Sequence, residues 1–120
     1  MLQEASLKGL TDVIRILVQN GANVDADQGE YDSPLQAACV HGHAEIIRLL
    51  LIHGADINLR GKYGTALQVA AFFGHKESVR VLIDGGANID AEGGRYGTAL
   101  YAAAIQGKTE ILEVLLERGA

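Results

Sequence analysis

Apolar residues along this chain come in short bursts at helical spacing, and each burst is closed by glycine. From Gly64 to His75 the chain reads GTALQVAAFFGH, where Leu67, Ala70 and Ala71 fall within about 100° of one another on a helical wheel. From Ala44 to His53 it reads AEIIRLLLIH, a second amphipathic segment. Ser33, Thr65 and Thr98 stand just before the short segments, where a hydroxyl can accept from the free N–H groups of a first turn. Pro34 fits the first helical position, where a missing N–H costs nothing. The short helix is predicted to end at Gly42, Gly74 or Gly107. The second opens with Asp12, Glu45, Glu77 or Glu110 in its first turn, where negative charge suits the helix dipole. It ends at a Gly-Ala pair, glycine being the usual left-handed cap. Stretches such as ADINLRGKYG have turn composition and connect one unit to the next.

These elements keep one register. Gly21, Gly54, Gly86 and Gly119 are spaced by 33, 32 and 33 residues, and Gly9, Gly42, Gly74 and Gly107 by the same intervals. Tyr31, Tyr63 and Tyr96 open YDSPLQAA, YGTALQVAA and YGTALYAAA. Three columns in register define a tandem repeat of two helices and a loop. One such pair cannot bury its apolar face alone, whereas stacked pairs share a continuous core. The predicted organisation is a single domain over residues 1–120, with units at about 1–30, 31–62, 63–95 and 96–120, the first and last truncated. The last helix keeps Ile111, Leu112, Leu115 and Leu116 without the polar outer face of a terminal unit, so a fragment of a longer array is expected.

Composition narrows the classes. Aromatics are only 5%, so the core must rest on close contacts between small residues such as Ala37, Ala38, Ala70, Ala71, Ala103 and Ala104. The net charge is −5 and the ten Lys and Arg are scattered, which gives no basic footprint for nucleic acid. Cys39 stands alone and forms no internal disulfide. The apolar run ALYAAAI is far short of the roughly 20 residues of a membrane span, and MLQEASLKGL lacks the regions of a signal peptide. The expectation is an intracellular monomer away from membranes, placed in the cytoplasm with the nucleus left open.

The repeated motifs resemble the ankyrin repeat, whose pattern runs close to Thr-Pro-Leu-His, Ala-Ala, Gly-His, a Leu-rich helix and Gly-Ala-Asp. SPLQAACVHGHAEIIRLLLIHGADIN, from Ser33 to Asn58, matches nearly throughout, and the resemblance covers the whole chain. Ala66 and Ala99 replace the proline. Gln36, Gln68 and Tyr101 replace the histidine, which puts its hydrogen bonds between units in question. The loop variant GGRYGTAL is similar to that of arrays in large fungal proteins. The resemblance implies an all-α solenoid of stacked antiparallel helix pairs with projecting hairpin-like loops. It also implies a non-catalytic module that binds a protein partner through its concave helix surface and loop tips. The alternative is a structural or autoinhibitory spacer that contacts other domains of its own longer polypeptide.

Candidate contact residues come from columns. Leu7, Val40, Phe72 and Ile105 form an apolar one; Lys8, His41, Phe73 and Gln106 form a mostly polar one that Phe73 breaks. In the family both commonly lie on or beside the concave surface. Phe72 either packs between neighbouring first helices or joins that surface, and both readings stand. Phe73 reads as displayed, because its column is otherwise polar. Arg60, Lys62 and Arg95 sit in the loop tips, where solvated charge and partner contact are the two readings. The tyrosine column suggests a structural role between adjacent loops. Arg15, Arg48 and Arg80 each follow an acid by three residues, Asp12, Glu45 and Glu77, which reads as a solvated ladder of pairs within helices. No catalytic grouping, cofactor motif or metal set is evident; Cys39, His41 and His43 lack the fourth ligand of structural zinc. Cys39 replaces the second Ala of Ala-Ala and is expected to be buried.

Overall fold

The computed structural model describes residues 2–25, 33–95 and 97–120. Among them lie eight α-helices: α1 (Leu2–Lys8), α2 (Thr11–Gln19), α3 (Pro34–Val40), α4 (Ala44–Ile52), α5 (Ala66–Phe73), α6 (Lys76–Asp84), α7 (Ala99–Ile105) and α8 (Thr109–Glu117). Two or three residues join each odd-numbered helix to its partner. The helices α1, α3, α5 and α7 pack side by side in one layer, and α2, α4, α6 and α8 form a second layer against it. The stack is elongated, 39 × 23 × 21 Å.

The predicted punctuation carries these boundaries. Ser33, Thr65 and Thr98 accept from the backbone N–H of Gln36, Gln68 and Tyr101 at 3.3, 3.4 and 3.0 Å. At α5 the Gln68 side chain returns to the Thr65 N–H and closes a capping box. The first-turn acids Asp12, Glu45, Glu77 and Glu110 stand where expected. Past the end of α4, Gly54 takes a φ of 90°, and the Ala55 N–H turns back to the Leu50 carbonyl at 3.0 Å. That left-handed turn is strained for any residue with a Cβ.

One hydrophobic core runs through the stack. Ala37, Ala38, Ala70, Ala71 and Ala103 are fully buried, which lets neighbouring first helices approach closely. Ala104 departs from that expectation: it is exposed, because no further helix among the described residues covers this face of α7. Helix α5 is buried on every side from Ala66 to Ala71, and only its C-terminal end reaches solvent.

Polar side chains tie the units together. Gln36 Nε2 donates to the carbonyls of Gly64 and Leu59 at 2.8 and 3.2 Å, and Gln68 Nε2 to those of Ala91 and Gly93 at 3.1 and 3.2 Å. Glutamine therefore supplies the inter-unit bonds that the absent histidines left in question. His43 and His75 Nε2 donate to the Leu7 and Val40 carbonyls of the preceding unit at 3.0 and 2.8 Å. The charge ladder also differs. Arg15 does pair with Asp12 inside α2, but Arg48 reaches across to Glu77 of the next unit at 2.7 Å. Lys76–Glu110 and Arg118–Asp84 likewise cross units, at 3.1 and 2.7 Å. These pairs are exposed, so each contributes at most about 1 kcal/mol.

Candidate interaction surface

The first helices end along one edge of their layer, and that edge presents Lys8, His41, Phe73 and Gln106. All four are exposed, and Phe73 shows 38% of its surface. Each sits at or just past the last turn of its helix, so the position follows from the glycine that ends the helix. The Phe72 ring meets the Phe73 ring edge-on at 5.1 Å between centroids, with 79° between the planes. Phe72 is half-buried and packs against the core, so it braces its neighbour while keeping one edge outside. His41 lies 6.1 Å from the His43 ring.

The apolar column next to this row divides. Val40 is 7% exposed and belongs to the core, so it leaves the proposed contact set: α5 of the next unit lies over it, and His75 bonds its carbonyl. Ile105 is 59% exposed, because nothing among the described residues covers that side of α7.

The loop candidates form a separate group at the other end of α5, about 12 Å away by helix rise. Gly61 and Gly64 pair as an antiparallel bridge, which places Lys62 and Tyr63 at the turn. Lys62 Nζ stands 5.2 Å from the Tyr63 ring centroid, and the Arg95 guanidinium carbon 6.0 Å from it. Arg60 donates to the Glu92 carbonyl at 2.9 Å, and the Arg95 N–H to the Lys62 carbonyl at 2.9 Å. A Cβ on Gly94 would fall 2.3 Å from the Gly64 nitrogen, so the two loops touch backbone to backbone. Arg60, Lys62 and Arg95 are thus gathered around one half-buried tyrosine that fastens adjacent loops, though all three remain exposed. Tyr31, Tyr96 and the first loop tip beyond Asp25 lie outside the described residues.

Column reading missed Ile52, which is 79% exposed on the outer layer. Its column otherwise holds Gln19, Asp84 and Glu117, the same kind of break that marked Phe73. Cys39 is fully buried, and desolvation pushes its thiol pKa far up, which suits packing and opposes nucleophilic use. Among the described residues no three His, Cys, Asp or Glu side chains converge as a metal site, and no helix is long and apolar enough to cross a membrane.

Comparison with known sequences agrees with this geometry. The family model "Ankyrin repeats (3 copies)" matches residues 1–61 and 59–120. A human BCL-6 corepressor-like protein 1 is 41% identical over 58 residues, covering 48% of this chain and 3% of that protein. An azaphilone pigments biosynthesis cluster protein L of Monascus ruber is 41% identical over 60 residues, covering 44% and 13%. Ankyrin repeat domain-containing protein 49 of Bos taurus is 33% identical over 58 residues, covering 48% and 24%. The chain therefore spans a quarter or less of the length of each of these relatives.

Proposed function

We propose, because this chain belongs to the ankyrin-repeat family and such repeats are generally protein–protein interaction modules, that it binds a protein partner without catalysing a reaction. The binding surface in this reading is the edge formed by Lys8, His41, Phe73 and Gln106, extended by Phe72 and Ile105. The loop cations Arg60, Lys62 and Arg95 form a second contact group at the opposite end of α5. The observation that carries the reading is Phe73: an aromatic ring held at 38% exposure in an otherwise polar row, braced by Phe72. Rigid aromatics in such settings carry a disproportionate share of binding energy. The family is typically non-catalytic, which supports that part of the reading. An intracellular, monomeric module is part of the same reading.

The test is affinity capture with the chain and its Phe73→Ala variant in parallel. A partner held by the first and lost by the second, with the unfolding free energy changed by less than about 1 kcal/mol, supports the surface. A stability loss of about 3–5 kcal/mol would place Phe73 in the core instead. Capture restricted to segments of its own longer polypeptide would move the reading to a spacer.

A further inference from the structure

The outer helix layer carries a groove of about 430 Å³ between α4 and α6, away from the Phe73 edge. Leu51, Ile52 and Val81 give it an apolar lining, and Arg48, Glu77, Arg80 and Asp84 edge it. Two independent departures from the repeat open it. The first is Ile52, 79% exposed where the other units carry Gln19, Asp84 and Glu117.

The second is Gly85. The corresponding residues elsewhere cover this spot: Asn20 Nδ2 and His53 Nδ1 fold back onto the Ile16 and Leu49 carbonyls, and Arg118 spans to Asp84. Gly85 has no side chain to do so. Its φ of −80° is one that any residue adopts, so the turn itself does not require glycine. A Cβ there would sit 3.1 Å from Ile57 Cδ1, 3.2 Å from the Val81 carbonyl oxygen and 3.3 Å from Leu51 Cδ1, a tight fit that glycine avoids at this end of the groove.

The charges on the rim specify the rest of the occupant. Arg48 is paired with Glu77 and Asp84 with Arg118, both at 2.7 Å. Arg80 has no ion-pair partner among the described residues. The unmatched demand is thus one apolar side chain and one carboxylate.

We propose that the α4–α6 groove is a second docking site, for an amphipathic helix of a protein partner that presents an aliphatic side chain and, one turn away, an Asp or Glu. The aliphatic group fills the space over Leu51 and Val81 against Ile52, and the carboxylate meets Arg80. A helix suits a furrow bounded by two side-by-side helices, and residues four apart on it face the same way.

The probe is a lactam-stapled helical peptide of Ala and Gln with one Leu and a Glu four residues later, titrated into the isotopically labelled 120-residue chain and followed by amide chemical shifts. The expected result is saturable shifts at Ile52, Val81 and Gly85. Ile52→Gln and Gly85→Asn should each weaken binding at least about tenfold. Arg80→Gln should weaken the Glu peptide and leave a Glu→Gln peptide unaffected. Ile52 is exposed, so its variant keeps the fold and remains informative if Gly85→Asn does not. Absence of saturation up to about 1 mM, shifts centred on Phe73, or variants that bind as well as the parent would overturn the site. So would concentration-dependent sedimentation abolished by Ile52→Gln, which would assign the groove to a second copy of the chain.

Discussion

At the scale of single residues, this chain tolerates polar groups inside its core where they find partners, and Ser78 shows what happens where one does not. Its column holds Val13, Ile46 and Ile111 in the other units, yet Ser78 is fully buried and its hydroxyl has no hydrogen-bond partner. An unsatisfied buried group costs about 1–3 kcal/mol, and Ala is a better helix former than Ser. Ser78→Ala should therefore leave stability unchanged or raise it by about 1 kcal/mol in chemical denaturation. A drop of that size would mean that the hydroxyl is satisfied after all. Cys39 offers the matching test of a titratable group. Burial raises its thiol pKa in the folded state, so the folded chain holds that proton more tightly than the unfolded one. Its contribution is complete below the ordinary thiol value of about 8.5 and is lost as pH rises above it, by at most about 1.4 kcal/mol per unit. Cys39→Ala, which installs the residue found at Ala71, should abolish that part of the alkaline slope. Equal slopes for the two chains would refute the argument.

At the scale of the helix, the caps were legible because they depend on neighbours in sequence. Thr65 needs only Gln68 three residues on, and both lie in GTALQVAAFFGH. Thr65→Ala removes the acceptor for the Gln68 N–H and should cost about 1–2 kcal/mol, with Thr65→Ser restoring most of it. An equal loss in both variants would point to the methyl group and to packing. What could not be read was any partner set by stacking. The pattern offered Glu77 to Arg80 three residues away, but the fold gives it to Arg48 across the layer. The replaced histidines raised a doubt that only the geometry removes, since the carbonyls of Ala91 and Gly93 come within reach of Gln68 through the loop of the next unit. Val40 and Phe72 share one column, yet one is buried and the other half-open, because each neighbouring helix covers its column to a different depth.

At the scale of the molecule, the environment of a residue is fixed less by its place in the repeat than by what lies over its unit. Ala71 and Ala104 occupy the same column, in α5 and α7. Ala71 is fully buried against α7, whereas Ala104 is exposed. Leucine has good helix propensity, so intrinsic preference barely separates the two sites. Overpacking does separate them: adding methylenes to a filled core costs about 1–3 kcal/mol and often more when backbones must part. Ala71→Leu should therefore lower stability by at least that much, because α5 and α7 approach through alanine and cannot separate without loosening the Gln68 bonds to Ala91 and Gly93. Ala104→Leu should stay within about 0.5 kcal/mol of the parent, as an exposed helix position does. Denaturant unfolding of the two variants decides the matter. Equal destabilisation would mean that α7 is covered in solution, by self-association for example, and the midpoint would then shift with protein concentration.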